Sequence, residues 1–151
     1  MRRKKHLKAC HYRRLTIPIE IVSLEDNSYH PVIRVKIEHI AGDMIIDTGA
    51  SVTVIDEQLF PELPGEPTFL EMQSGSVTGQ IQHVRLVKAK EMQIGDRKFK
   101  NLKLAAIDLK YVNDMYNRHL NRKIIGLLGC DFCVKHKVVI DYRSKELSFS
   151  L

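Results

Sequence analysis

The segment Met44-Ile45-Ile46-Asp47-Thr48-Gly49 limits what this chain can fold into more than any other stretch. Three apolar residues in a row read as a strand buried on both faces, and that strand ends on a carboxylate. Burying an ionised aspartate is costly unless hydrogen-bond donors are aimed at it. Thr48-Gly49 meets that need. Glycine lets the main chain turn back closely so that amides reach the carboxylate, and threonine adds a hydroxyl. Ala50 and Ser51 complete the turn, and Val52-Thr53-Val54-Ile55 begins another strand.

The rest of the sequence has the same texture. Residues 15–22 are strand-like, with Pro18 suited to a strand start or a sheet edge. Residues 27–31 form a turn, and 32–38 nearly alternate apolar with polar side chains, the mark of a half-buried strand. Residues 56–60 predict one helical turn stopped by Pro61, and Pro64, Gly65 and Pro67 predict a loop. A hairpin is expected over 68–89, its tip the small, pliable Ser74-Gly75-Ser76-Val77-Thr78-Gly79, and neither face of its return arm is cleanly polar. Gly95-Asp96 turns a second hairpin whose returning strand is 102–107. Residues 111–123 form the one longer helix or ordered loop, 124–129 are apolar and glycine-broken, and 130–136 suit a short helix before two closing strands. Short strands at regular spacing with one or two short helices mean an all-β barrel or sandwich.

A length of 151 residues suits one domain, and 44% apolar with 28% charged residues is a globular balance that excludes collagen and long disorder. No apolar run approaches the roughly 18–20 residues of a membrane span. Lys and Arg number 24 against 18 Asp and Glu, a net charge of +6, but seven of the basic residues precede Glu20. The chain therefore divides into a basic arm, residues 1–14, and a nearly neutral body, residues 15–151. Such an arm suits nucleic acid, an anionic surface or an acidic partner, and equally a solvated, mobile terminus. No apolar stretch follows the basic start, so it does not read as a secretory signal. Three cysteines are too few for a disulfide framework, which points to the cytoplasm. Cys130, Cys133 and His136 offer three ligand types for a metal where a structural zinc site wants four. Cys10-His11 could complete it from the arm, though nothing in the sequence fixes that geometry. Buried thiols packing as small hydrophobes are the expected use, with no metal or cofactor.

In this order, Asp47-Thr48-Gly49-Ala50, the hairpin tip at Ser74–Gly79 and Leu127-Leu128-Gly129-Cys130-Asp131-Phe132 resemble the retropepsin-like aspartic proteases. These are single-lobe relatives of pepsin, and the tail over 138–149 is similar to the closing strands of their cellular, non-viral members. The resemblance covers all but the basic arm. It implies a closed acid-protease barrel with Asp47 as the catalytic carboxylate. It also implies Thr48 in a grip between two chains, Gly49 presenting an amide to the carboxylates, and Ser74, Gly75, Ser76, Val77, Thr78 and Gly79 as a flap over substrate. Leu127, Leu128 and Gly129 would support the turn.

Peptide hydrolysis by carboxylates needs two of them sharing a proton across a water, one as base and the other as acid. No other aspartate in the chain is followed by Thr-Gly or Ser-Gly. The missing partner is then Asp47 of a second copy in a homodimer. Ala50 stands where some pepsin-like enzymes carry a hydroxyl that stabilises the ionised carboxylate. Its absence raises a carboxylate's pKa and implies an optimum in mildly acidic to near-neutral solution, with Ser51 able to take part of that role. The expected activity is that of an aspartic endopeptidase holding an extended peptide. The alternative is a binding module that uses the same groove without hydrolysis.

Overall fold

A computed structural model of the chain describes residues 14–69 and 83–150. The basic arm up to residue 13 and the expected flap tip at 74–79 lie outside the described residues. The segment expected as one strand over 15–22 divides in two. Pro18 has no N–H to continue a ladder. At Ile19 the chain turns its side chain into the core, 4% exposed, and its amide donates to the Lys145 carbonyl at 2.8 Å. On one side of this break β1 (Arg14–Pro18) pairs antiparallel with β11 (Glu146–Ser150), which also pairs with β10 (Val139–Asp141), giving a three-stranded sheet of the two chain ends. On the other side β2 (Glu20–Ser23) joins β3 (Tyr29–Ile37) in an eight-stranded sheet.

The larger sheet continues from β3 through β4 (Ile40–Ile46), β9 (Ile124–Leu128), β5 (Val54–Asp56), β8 (Arg97–Ile107) and β7 (His83–Ile94) to β6 (Gly65–Phe69). It curls until β7 meets β3, with Val35 opposite Ile94 and Ile37 opposite Met92. The fold is all-β with two helices, as expected, but the sheet is a curled one rather than a closed barrel. β7 gives its first half to β6 and only its end to β3, so β2 and β6 stand at the two ends of the sheet order. The helical turn expected at 56–60 is also absent. Two tight turns replace it, closed by Leu59 N–H to the Asp56 carbonyl and Leu63 N–H to the Phe60 carbonyl at 3.1 and 3.3 Å. Pro61 and Pro64 deny a helix its donors there.

The main core lies inside the curl. Met44, Ile55, Phe60, Met92 and Ile94 are fully enclosed in it, and Phe99 meets Phe132 and Phe149 edge-on at 4.8 and 5.4 Å between ring centres. A second apolar cluster of Val54, Val84, Ala105, Ile107 and Leu109 packs on the opposite face of β5 and β8, against Val112 of α1 (Lys110–Leu120). α1 is fixed by Asn113, whose side-chain amide donates to Asp56 Oδ2 at 3.1 Å and to the Ile124 carbonyl at 3.0 Å, and whose Oδ1 accepts from Ile124 N–H at 2.7 Å. Ahead of the site, Asp43 is held by Arg122 at 2.7 Å and Arg34 at 3.2 Å. Among the described residues no helix is long and apolar enough to cross a membrane.

Candidate active site

β4 delivers Asp47 to the site. β9 runs parallel beside it, with Ile45 opposite Leu127 and Ile46 opposite Leu128, and Asp47 N–H closes the ladder on the Leu128 carbonyl at 3.0 Å. On its other edge β9 pairs antiparallel with β5, Leu127 opposite Val54. The aspartate turn thus leaves the sheet from beside a central strand, and its position is fixed from two sides. Gly49 N–H points back at Asp47 Oδ1 at 2.9 Å, and Ala50 N–H returns to the Asp47 carbonyl at 3.2 Å. A Cβ at Gly49 would lie 3.2 Å from Asp47 Oδ1, closer than nearly all real contacts, so glycine keeps the carboxylate and the amide together.

α2 (Cys130–Lys135) fastens the turn from behind. Cys130 N–H donates to the Ala50 carbonyl at 2.8 Å and Asp131 N–H to the Ser51 carbonyl at 3.3 Å. The Cys130 thiol donates to the Thr48 carbonyl at 2.9 Å. This close approach requires Gly129, because a Cβ there would stand 2.5 Å from the Val52 main chain. Leu127-Leu128-Gly129 and Asp47-Thr48-Gly49 are therefore one structural unit.

Sequence reasoning missed the pair that locks this unit. The Thr53 side chain is 1% exposed; its hydroxyl donates to Asp131 Oδ1 at 2.7 Å and accepts from Gly129 N–H at 3.1 Å. The same Asp131 oxygen accepts from Phe132 N–H at 2.7 Å, in the first turn of α2. No local signal announces a contact between residues 78 apart in sequence.

Thr48, Gly49 and Ser51 face solvent and Asp47 and Ala50 are half-exposed. The three possible metal ligands of the C-terminal segment are used otherwise. Cys130 holds Thr48. Cys133 packs against the main core, and burial pushes its thiol up to about 11. The His136 ring lies 4.7 Å from Phe99 and 4.4 Å from Phe132, and burial among them, with Lys135 and Arg97 nearby, holds it below the usual histidine range. No three His, Cys, Asp or Glu side chains among the described residues are grouped to hold a metal ion. Cys10 and His11 lie outside those residues.

This arrangement of an aspartate turn, a paired apolar-apolar-glycine strand and a short helix defines a retropepsin-like fold. A retropepsin-like aspartic protease from Rickettsia conorii matches it with a TM-score of 0.52 at 20% identity, over 91% of this chain and 92% of that one. The retroviral protease-like domain of Ddi1 from Leishmania major matches with a TM-score of 0.50 at 12% identity, over 78% and 86%. No curated protein matches the sequence. The family model for aspartyl proteases matches residues 33–132, from β3 through the aspartate turn to α2, and the chain belongs to that family.

Proposed function

We propose that this chain is an aspartic endopeptidase whose catalytic group is Asp47, acting as a pair across the two-fold axis of a homodimer. The observation that carries this reading is a carboxylate held by its own turn, with Gly49 N–H on Oδ1 at 2.9 Å, on a surface that also exposes Thr48 and Gly49. A second copy facing it brings two carboxylates together, and like charges about 3 Å apart cannot both ionise readily, so the pair holds one shared proton. The ionised member takes a proton from water as the water attacks the peptide carbonyl, and the protonated member donates to the carbonyl oxygen. Collapse of the resulting diol expels the amine, which leaves with a proton from the pair. Thr48 supplies the grip between chains, and the segment Ser74–Gly79, which follows β6 in the sequence, is assigned the covering of an extended substrate. The reaction needs no metal or cofactor.

The test is cleavage of a diverse peptide pool from about pH 4 to about pH 8 by wild type beside Asp47→Asn. Cleavage by wild type alone, strongest in mildly acidic to near-neutral solution, is expected. Absence of cleavage by a preparation shown to be dimeric overturns the hydrolytic reading in favour of a peptide-binding module. A maximum at about pH 2–3 removes the role given to Ala50.

A further inference from the structure

A groove of about 740 Å³ opens beside the aspartate turn, walled by β6 on one side and by Val52 and Asp131 on the other. Its position follows from the register. Paired residues on neighbouring strands project from the same face. Glu66 of β6, Leu86 of β7, Ala105 of β8 and Val54 of β5 form one rank across the sheet, and Lys88 opposite Lys103 stands in the next. Ala105 and Val54 are buried in the second apolar cluster, but Leu86 is 44% exposed, marking where that cover stops. Beyond it the groove is open and two ammonium groups line it.

Like charges directly opposite each other on paired strands oppose folding. Elsewhere in the same hairpin one cation is paired: Lys98 meets Glu91 at 2.9 Å. Neither Lys88 nor Lys103 forms an ion pair among the described residues. Of the two carboxylates in the groove, Asp131 already accepts from Thr53 and from Phe132 N–H, and Glu66 stands on the β6 edge. A local rule broken at the surface without an internal compensation marks a functional site.

We infer that Lys88 and Lys103 form a subsite for an acidic side chain of the peptide substrate, an inference that rests on the proteolytic reading of Asp47. The groove is tied to the aspartate turn through Asp131 N–H on the Ser51 carbonyl. A substrate seated across Asp47 therefore sends one side chain past Val52 toward the lysines. An Asp or Glu there gains charge-assisted hydrogen bonds, and a Lys or Arg meets two like charges, so selection works by attraction and by repulsion.

The test compares wild type with the exposed-surface double variant Lys88→Gln/Lys103→Gln in cleavage of one peptide pool, alongside thermal melting of both. Wild type is expected to enrich Asp and Glu and deplete Lys and Arg at one fixed distance from the cut. The double variant should lose about tenfold of that preference while cutting neutral peptides as before. Melting no lower than wild type is expected, because repulsion is relieved, and shows that the loss is not one of folding. An unchanged preference in the variant, or none in wild type, overturns the subsite and leaves the protease standing. Should wild type cut nothing, the protease reading falls. Binding of a labelled acidic peptide and its Asn/Gln counterpart, read by fluorescence anisotropy, then decides the subsite. Equal affinity of wild type for the two overturns it. Tighter binding of the acidic peptide by wild type, lost in the double variant, sustains it.

Discussion

At the scale of single residues, the aspartate turn depends on side chains that are not themselves acidic. Thr53 serves two partners with one hydroxyl, giving its hydrogen to Asp131 and accepting from Gly129 N–H, and it lies beneath the turn where water cannot replace it. Thr53→Val keeps the shape and deletes the hydroxyl, leaving the Gly129 amide without its partner. A buried group so orphaned costs about 1–3 kcal/mol. The expected result is a shift of that size in the urea unfolding free energy, with Thr53→Ser restoring most of it. If Thr53→Val unfolds with wild-type stability, the hydroxyl is not what joins β5 to α2.

At the scale of elements, most of the β-structure was legible because alternation survives where one face meets solvent. β3 exposes Arg34 and Lys36 and buries Val35 and Ile37, so its pattern reads directly. The aspartate turn and the Leu127-Leu128-Gly129 strand read from motif and order. What did not read was pairing between distant segments. β5 is buried on both faces, by the main core on one side and the second cluster on the other, and a strand buried twice loses its alternation. The division at Ile19 was hidden because β1 and β2 differ in partner, not in composition. α1 was foreseen as helix or ordered loop, but its anchorage was not. Asn113 bonds both main-chain groups of Ile124 and, beside Gln58 N–H, the carboxylate of Asp56, which is 3% exposed. Asn113→Ala should therefore cost about 2 kcal/mol or more, since it removes one of the donors to a buried carboxylate and strands two main-chain groups. Hydrogen exchange should show the loss first at the Ile124 amide. Continued protection of that amide in the variant would mean that β9 needs no help from α1.

At the scale of the whole molecule, the proposed mechanism asks one chain for only half of the chemistry. Asp47 is held by its own turn, the Thr48-Gly49 surface beside it is exposed, and three other aspartates are committed elsewhere. Asp43 answers Arg34 and Arg122, Asp56 answers Asn113, and Asp131 answers Thr53. The proposed isologous pair would supply the second carboxylate without any new motif, because each face meets its own copy. Mixing distinguishes this from any site complete within one chain. When wild type and Asp47→Asn are combined in equal amounts and allowed to exchange, about a quarter of the dimers carry two intact carboxylates. Activity per wild-type chain should then fall about twofold, and further as the variant is added in excess. Independent monomers would keep full activity per wild-type chain at every ratio, and that result would return the second carboxylate to the same chain. Dilution gives the matching control: specific activity should drop as dimers separate, and adding back Asp47→Asn should fail to restore it.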